Sequence, residues 1–186
     1  MTASIQQPDR IEIKLDRTSQ LFHTLDPSPF RASDLASEAE TYIVDSAREL
    51  PGNSAIEIIV HLPPDEFART SASDIAGAIR TYFSLRQQSA SREMRELFKT
   101  GRLALVVGLT VLSVSLLISW FFTQNNDDGP LFGILSEGFV IFGWVAIWRP
   151  SEIFLYSWYP IWRRRKLLGR LAEARVTVVE GRPNPR

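Results

Sequence analysis

The sequence predicts an α/β fold combined with a transmembrane part: a small α/β domain built from both termini, joined to a two-helix membrane hairpin. Three observations predict it. Leu103 to Phe122 is a run of 20 residues without a charge, about 30 Å long as a helix and so the thickness of a bilayer core. A second apolar run, Leu131 to Trp148, follows the polar turn Thr123 to Pro130. Outside these runs, three short segments alternate apolar and polar residues with the period of a half-buried strand.

The opening MTASIQQPDR is polar and has no apolar core, so no cleavable signal peptide is expected there. Ile11, Ile13 and Leu15 alternate with Glu12 and Lys14 and predict a first strand. In LFHTLDPSPF, Leu21 to Phe30, Asp26, Pro27 and Pro29 predict an ordered turn leading into a helix. That helix is expected from about Asp34 to Leu50, capped by Ser33, with Leu35, Ala39, Tyr42, Ile43, Ala47 and Leu50 on one face. Pro51, Gly52 and Asn53 stop it.

Ala55 to Leu62 carries Ile56, Ile58, Val60 and Leu62 on one face, and Ile59 makes the other partly apolar, which marks a central strand. Pro63, Pro64 and Asp65 open a helix whose core face carries Ile75, Ile79, Tyr82 and Phe83. It can run on into the first span, with room for a bend near Gln87 to Ser91. At the far end, Lys166 to Ala174 reads as a helix and Ala174 to Glu180 as a strand with Val176 and Val178 inward. Two strands and one crossover make a thin sheet, so this late strand is expected to complete the domain. The tail GRPNPR is expected to be mobile.

The second span has two competing placements. From Gly138 to Trp162 it would bury Arg149 and Glu152 near the bilayer centre, where an Arg or Asp costs roughly 2.5 to 3.5 kcal/mol. From Leu131 to Trp148, Arg149 lies at the interface and Glu137 alone stays inside. The second placement is preferred. Ser151 to Trp162 then becomes an interfacial helix, with Trp148, Trp158, Tyr159 and Trp162 at headgroup depth and Pro160 distorting or ending it. The expected organisation is a domain over residues 1–98, a hairpin over 99–149, an interfacial helix and basic stop over 150–166, and a closing helix and strand over 167–186.

Net charge is zero, yet Met1 to Phe98 carries −5 and the remainder +5. Arg92, Arg95, Lys99 and Arg102 precede the first span, and Arg149 with Arg163, Arg164, Arg165 and Lys166 follows the second, while the connecting loop carries Asp127 and Asp128. The positive-inside rule therefore places both termini in the cytoplasm. Arg163 to Lys166, directly after an aromatic stretch, is expected to hold anionic lipid headgroups rather than nucleic acid. Cysteine is absent, which excludes disulfides, thiolate metal sites and a cysteine nucleophile.

Known catalytic motifs do not occur: there is no P-loop, GxGxxG, HExxH or GxSxG. His23 lies in the predicted turn and His61 on the outer face of a strand, neither with a carboxylate cluster around it. The acids Asp34, Glu38, Glu40, Asp45 and Glu49 read as a solvated helix face. No cofactor or metal is expected, and an enzyme is expected only if a partner completes the chemistry. Three membrane residues stand out. Glu137 lies about six residues, roughly 9 Å, inside the second span, either reaching back to the outer interface or handling ions. Arg149 and Glu152 are spaced to pair around Pro150 at the inner interface.

A further signal concerns helix packing. Ala104, Gly108, Val111, Ser115 and Ser119 form a stripe of mostly small residues down the first span. It must meet another helix, either the second span of the same chain through Gly138 and Gly143 or a neighbouring subunit.

The run WRPSEIFLYSWYPIWRRRKLLGRL, Trp148 to Leu171, resembles a family of small bacterial membrane proteins with a cytoplasmic N-terminal region, a two-helix hairpin and a tryptophan, proline, arginine signature. LFHTLDPSPF is a weaker second match, and Ser157 stands where that pattern has an acidic residue. The family carries no established activity, so the resemblance implies a bacterial inner membrane and no reaction. The resulting expectation is a non-enzymatic scaffold or accessory subunit that self-assembles or joins a larger membrane complex. A small homo-oligomeric channel with Glu137 in its pathway is the alternative, and a ligand-binding signalling module a third.

Overall fold

A computed structural model of the chain describes residues 9–22, 35–52, 54–124 and 130–181. It is mostly helical with one small sheet. Strands β1 (Asp9–Lys14), β2 (Ile56–Leu62) and β3 (Arg175–Glu180) pair in parallel in the order β1-β2-β3. Ile11 and Ile13 stand opposite Ile58 and Val60, which in turn stand opposite Val176 and Val178. One inward face thus runs unbroken across all three strands.

Parallel pairing forces long connections, and both steps across the sheet go the same way. With right-handed crossovers such steps put their helices on a single face. The core agrees. Ile11, Ile13, Ile58 and Val60 are buried together with Ala39, Ile43 and Ala47 of α1 (Ser37–Glu49), Ile75, Ile79 and Phe83 of α3 (Ala72–Gln124), and Leu168 and Leu171 of α5 (Trp158–Ala172). On the opposite face of the sheet His61 places its Nε2 3.5 Å from the Glu12 carboxylate, as expected for a polar residue there.

Helix α1 starts later than its apolar pattern implied. Leu35 is engaged in a bridge with Phe22 and the Ala36 amide donates to the Leu21 carbonyl at 2.9 Å, so the chain is still extended there. The expected cap Ser33, Asp34, His23 and the turn residues 23–30 lie outside the described residues, as do the N-terminal residues 1–8, the loop residues 125–129 and the tail 182–186. Tyr42 is not a core residue. It is 52% exposed, and its hydroxyl donates to the Glu12 carbonyl at 3.2 Å, so its ring lies over the edge strand rather than beneath the sheet.

Between β2 and α3 lies a short helix, α2 (Pro64–Arg69), started by a proline at a position where a missing N–H costs nothing. The Thr18 amide and hydroxyl donate to the Glu66 carboxylate at 3.0 and 2.7 Å. Those donors, the amide first, hold the Glu66 carboxyl below the usual carboxylate range. Helix α3 then runs for 53 residues, about 80 Å at helical rise. No break occurs at Gln87 to Ser91.

Helices α1 and α3 are tied by a polar triad. Tyr82 donates its hydroxyl to Glu40 at 2.6 Å, and Arg86 donates to both Glu40 (2.7 Å) and the Tyr82 oxygen (3.0 Å). Burial first, and the adjacent Glu40 carboxylate second, push the Tyr82 phenol up to about 12. A raised phenol holds its proton more tightly in the folded state, so its contribution is complete below pH 10 and is lost as pH rises toward 12. By linkage this is worth about 2 to 3 kcal/mol. Denaturant unfolding at pH 9 and at pH 12 should show this loss in the wild type, and Tyr82→Phe should flatten the difference. Equal alkaline sensitivity in both proteins would remove Tyr82 as its source.

Two compact units result: one from the residues through Ala90 together with those from Arg163 onward, the other Ser91–Trp162. Both α3 and α5 cross the boundary between them.

Candidate functional site in the apolar hairpin

Two helical segments, Ala72–Gln124 and Gly133–Ala172, are long and apolar enough to cross a membrane. The second starts as α4 (Pro130–Glu152), passes through one π-helical turn at Ile153–Ser157, and continues as α5. The helix therefore runs through Arg149 and Pro150 without a break, and Pro160 lies in the first turn of α5 without ending it. Each proline removes one N–H donor from the helical ladder, and a single π turn between them takes up the resulting shift in hydrogen-bond register. Ser151 and Ser157 hydroxyls donate to the carbonyls of Ile147 (2.9 Å) and Glu152 (3.4 Å) along this stretch.

Within the Ser91–Trp162 unit, α3 and α4 pack through small residues. A β-carbon added at Gly108 would lie 2.8 Å from the Ala146 carbonyl oxygen, and one added at Gly143 would lie 3.2 Å from the Ser115 β-carbon. The usual donor to the Ala146 carbonyl is the amide four residues on, which is Pro150 and cannot donate. Gly108 gives that carbonyl room against its Cα. Ser119 and Ser136 hydroxyls meet at 2.7 Å, and Phe122 stacks on Phe139 with ring centroids 6.2 Å apart. Gly108, Ser115 and Ser119 are buried in this contact and Ala104 is half-buried. The stripe is thus occupied within the chain. Gly138, expected as a receiver, has nothing within 4 Å, because it lies on the other side of α4.

Two members of the interface escaped the sequence reading. Gly101 faces Ile153 and Phe154, and Ser136 faces Ser119. Their signal was a seven-residue repeat: Gly101, Gly108 and Ser115 on α3, and Ser136, Gly143 and Pro150 on α4. A seven-residue repeat keeps a small-residue seam facing a partner helix at a shallow left-handed crossing.

Glu137 is exposed on the outward side of α4, and no hydrogen bond or ion pair reaches it among the described residues. Arg149 donates to Glu152 at 3.0 Å, so that pair forms, with side chains 72% and 46% exposed. Trp158, Tyr159 and Trp162 cluster with ring centroids 6.0 to 6.4 Å apart. Arg163, Arg164, Arg165 and Lys166 follow on α5, all exposed. No group of three or more His, Asp or Glu residues placed to hold a metal ion occurs among the described residues. Set against protein-family models, curated proteins and solved structures, the chain matches none of them.

Proposed function

We propose that this chain is a non-enzymatic, multi-pass protein of a bacterial inner membrane, with both termini cytoplasmic, that acts as a scaffold or accessory subunit by assembling through α4 with itself or with another membrane protein. Glu137 carries this reading. It lies seven residues into α4, about 10 Å by helical rise, and faces away from the hairpin with Gly133 and Gly138 beside it. A carboxylate turned toward lipid is costly, and a helix carrying a hydrogen-bond donor relieves that cost. The small-residue seam of α3 is already filled by α4, so the outward side of α4 is the surface left for a second helix. The basic run Arg163 to Lys166 beyond the aromatic cluster supports contact with anionic lipid on the cytoplasmic side, and the resemblance of Trp148 to Leu171 to small bacterial hairpin proteins agrees.

Native mass measurement in mild detergent tests it. The wild type should run as an oligomer or with a copurifying membrane protein, and Glu137→Leu should lower that mass while the hairpin stays folded. A wild type that runs only as the 21.1 kDa monomer, with no partner, would contradict assembly. Cation or proton flux in proteoliposomes that is lost in Glu137→Gln would replace the scaffold by a channel whose pathway lies between subunits.

A further inference from the structure

A cleft of about 650 Å³ opens in the sheet-containing unit, at the end of the sheet where β2 begins and β3 enters. Its walls come from two distant stretches of sequence: Gly52, Ser54, Ala55 and Ile56 on one side, and Lys166, Arg170, Glu173 and Arg175 on the other. Three of these side chains are cations and one is an acid. Successive turns of α5 place Lys166 and Arg170 on one side of that helix, and Arg175 opens β3.

Arg170 is the fixed element. One of its terminal nitrogens donates to the Pro51 carbonyl (2.7 Å), the Ser54 carbonyl (3.0 Å) and the Ser54 hydroxyl (3.3 Å). These acceptors are neutral, and no carboxylate lies within ion-pair distance of this guanidinium among the described residues. Its Nε is buried and meets no acceptor among the described residues. A buried donor without a partner is a standing cost. The cation is therefore held rigidly by backbone carbonyls while one of its donors, and its charge, remain uncompensated.

We infer that this cleft binds a phosphate group, carried either by a lipid headgroup or by a soluble phosphate ester. A phosphate entering the cleft beside Arg170 supplies the counter-charge that its anchored guanidinium lacks. Guanidinium groups match phosphate geometry, and Lys166 and Arg175 add two further charges from the rim. Glu173, exposed on the same rim, repels a bare anion but accepts from a hydroxyl, which favours the ester of a hydroxylated alcohol over inorganic phosphate. A lipid source is suggested by the sequence, in which Lys166 comes four residues after Trp162, a residue type enriched at headgroup depth. This inference is independent of the assembly role of Glu137, since it involves neither α4 nor a second chain.

Calorimetric titration of the full-length protein in nonionic detergent tests the site with three probes: inorganic phosphate, glycerol phosphate, and a short-chain phosphatidylglycerol, with short-chain phosphatidylcholine as the headgroup control. Saturable binding of phosphatidylglycerol or glycerol phosphate is expected, and Lys166→Gln with Arg175→Gln should weaken it at least about tenfold. Arg175 takes no part in the Arg170 anchor, so Arg175→Gln alone should leave the thermal midpoint without ligand unchanged. Binding of phosphatidylglycerol alone assigns a lipid headgroup, and equal binding of glycerol phosphate assigns a soluble ester. Absence of saturable binding of every phosphate probe to the wild type would overturn the inference, as would equal affinity in the double variant. If the double variant does not fold, Arg175→Gln alone carries the comparison under the same two criteria.

Discussion

Replacing Gly108 by leucine is expected to abolish the folded hairpin. The added β-carbon would sit 2.8 Å from a backbone oxygen of Ala146, and backbone cannot rotate out of the way as a side-chain end can. The helices must therefore part, at a cost of about 1 to 3 kcal/mol for overpacking alone. Parting them also weakens the Ser119–Ser136 hydrogen bond and the Phe122–Phe139 stack, the former a kind of contact worth about 0.6 kcal/mol between membrane helices. Yield and monodispersity in mild detergent should fall sharply, with no stable monomer recovered. Thr110→Leu, on an exposed side of α3, should behave as wild type. A Gly108→Leu protein that keeps wild-type yield and stability would mean that this seam does not pack as described.

An equally large effect is expected on removing residues 175–186. The deletion takes away β3, whose Val176 is 9% exposed, and opens one edge of β2, whose Ile58 and Val60 are fully buried. Burial of a single valine or isoleucine is worth about 1.5 to 3 kcal/mol, against a total domain stability of about 5 to 15 kcal/mol. Limited proteolysis should then cut rapidly within residues 9–90, although the deletion lies more than eighty residues further along the chain. Unchanged resistance of that region would make β3 an independent tail.

The strands were legible because burial on one face of a sheet imposes a period of two, and Ile11, Ile13, Ile58, Val60 and Val176 obey it. Their parallel order was not. Pairing direction depends on the path of the connections, and the connection between β2 and β3 contains both apolar helices. Helix ends were read less well than helix faces. Nothing in the pattern of Leu35 and Ala36 reveals that Phe22 and Leu21 hold them extended, and nothing in the sequence around Pro150 shows that one helix runs through it. Here the neighbouring Gly108 leaves room for the Ala146 carbonyl, to which Pro150 cannot donate.

The small-residue stripe was visible, but its partner was not, since an intrachain and an intersubunit seam have the same composition. Glu137 stood out as a charge in an apolar run, whereas its outward direction depends on which side of α4 faces α3. The cationic cleft was invisible for a different reason. Its two walls lie more than a hundred residues apart in sequence, and only the fold brings Arg170 to the loop at Pro51 and Ser54.

The proposed hairpin crosses a membrane twice with both ends on the cytoplasmic side. The chain contains no cysteine, so single cysteines introduced at Asn126 and at Glu49 report without background. Intact cells treated with a membrane-impermeant thiol reagent should label Asn126→Cys and leave Glu49→Cys unlabelled until the cells are lysed. Labelling of Glu49→Cys on intact cells, with Asn126→Cys protected, would reverse the orientation, and protection of neither site in a washed soluble fraction would remove the membrane altogether.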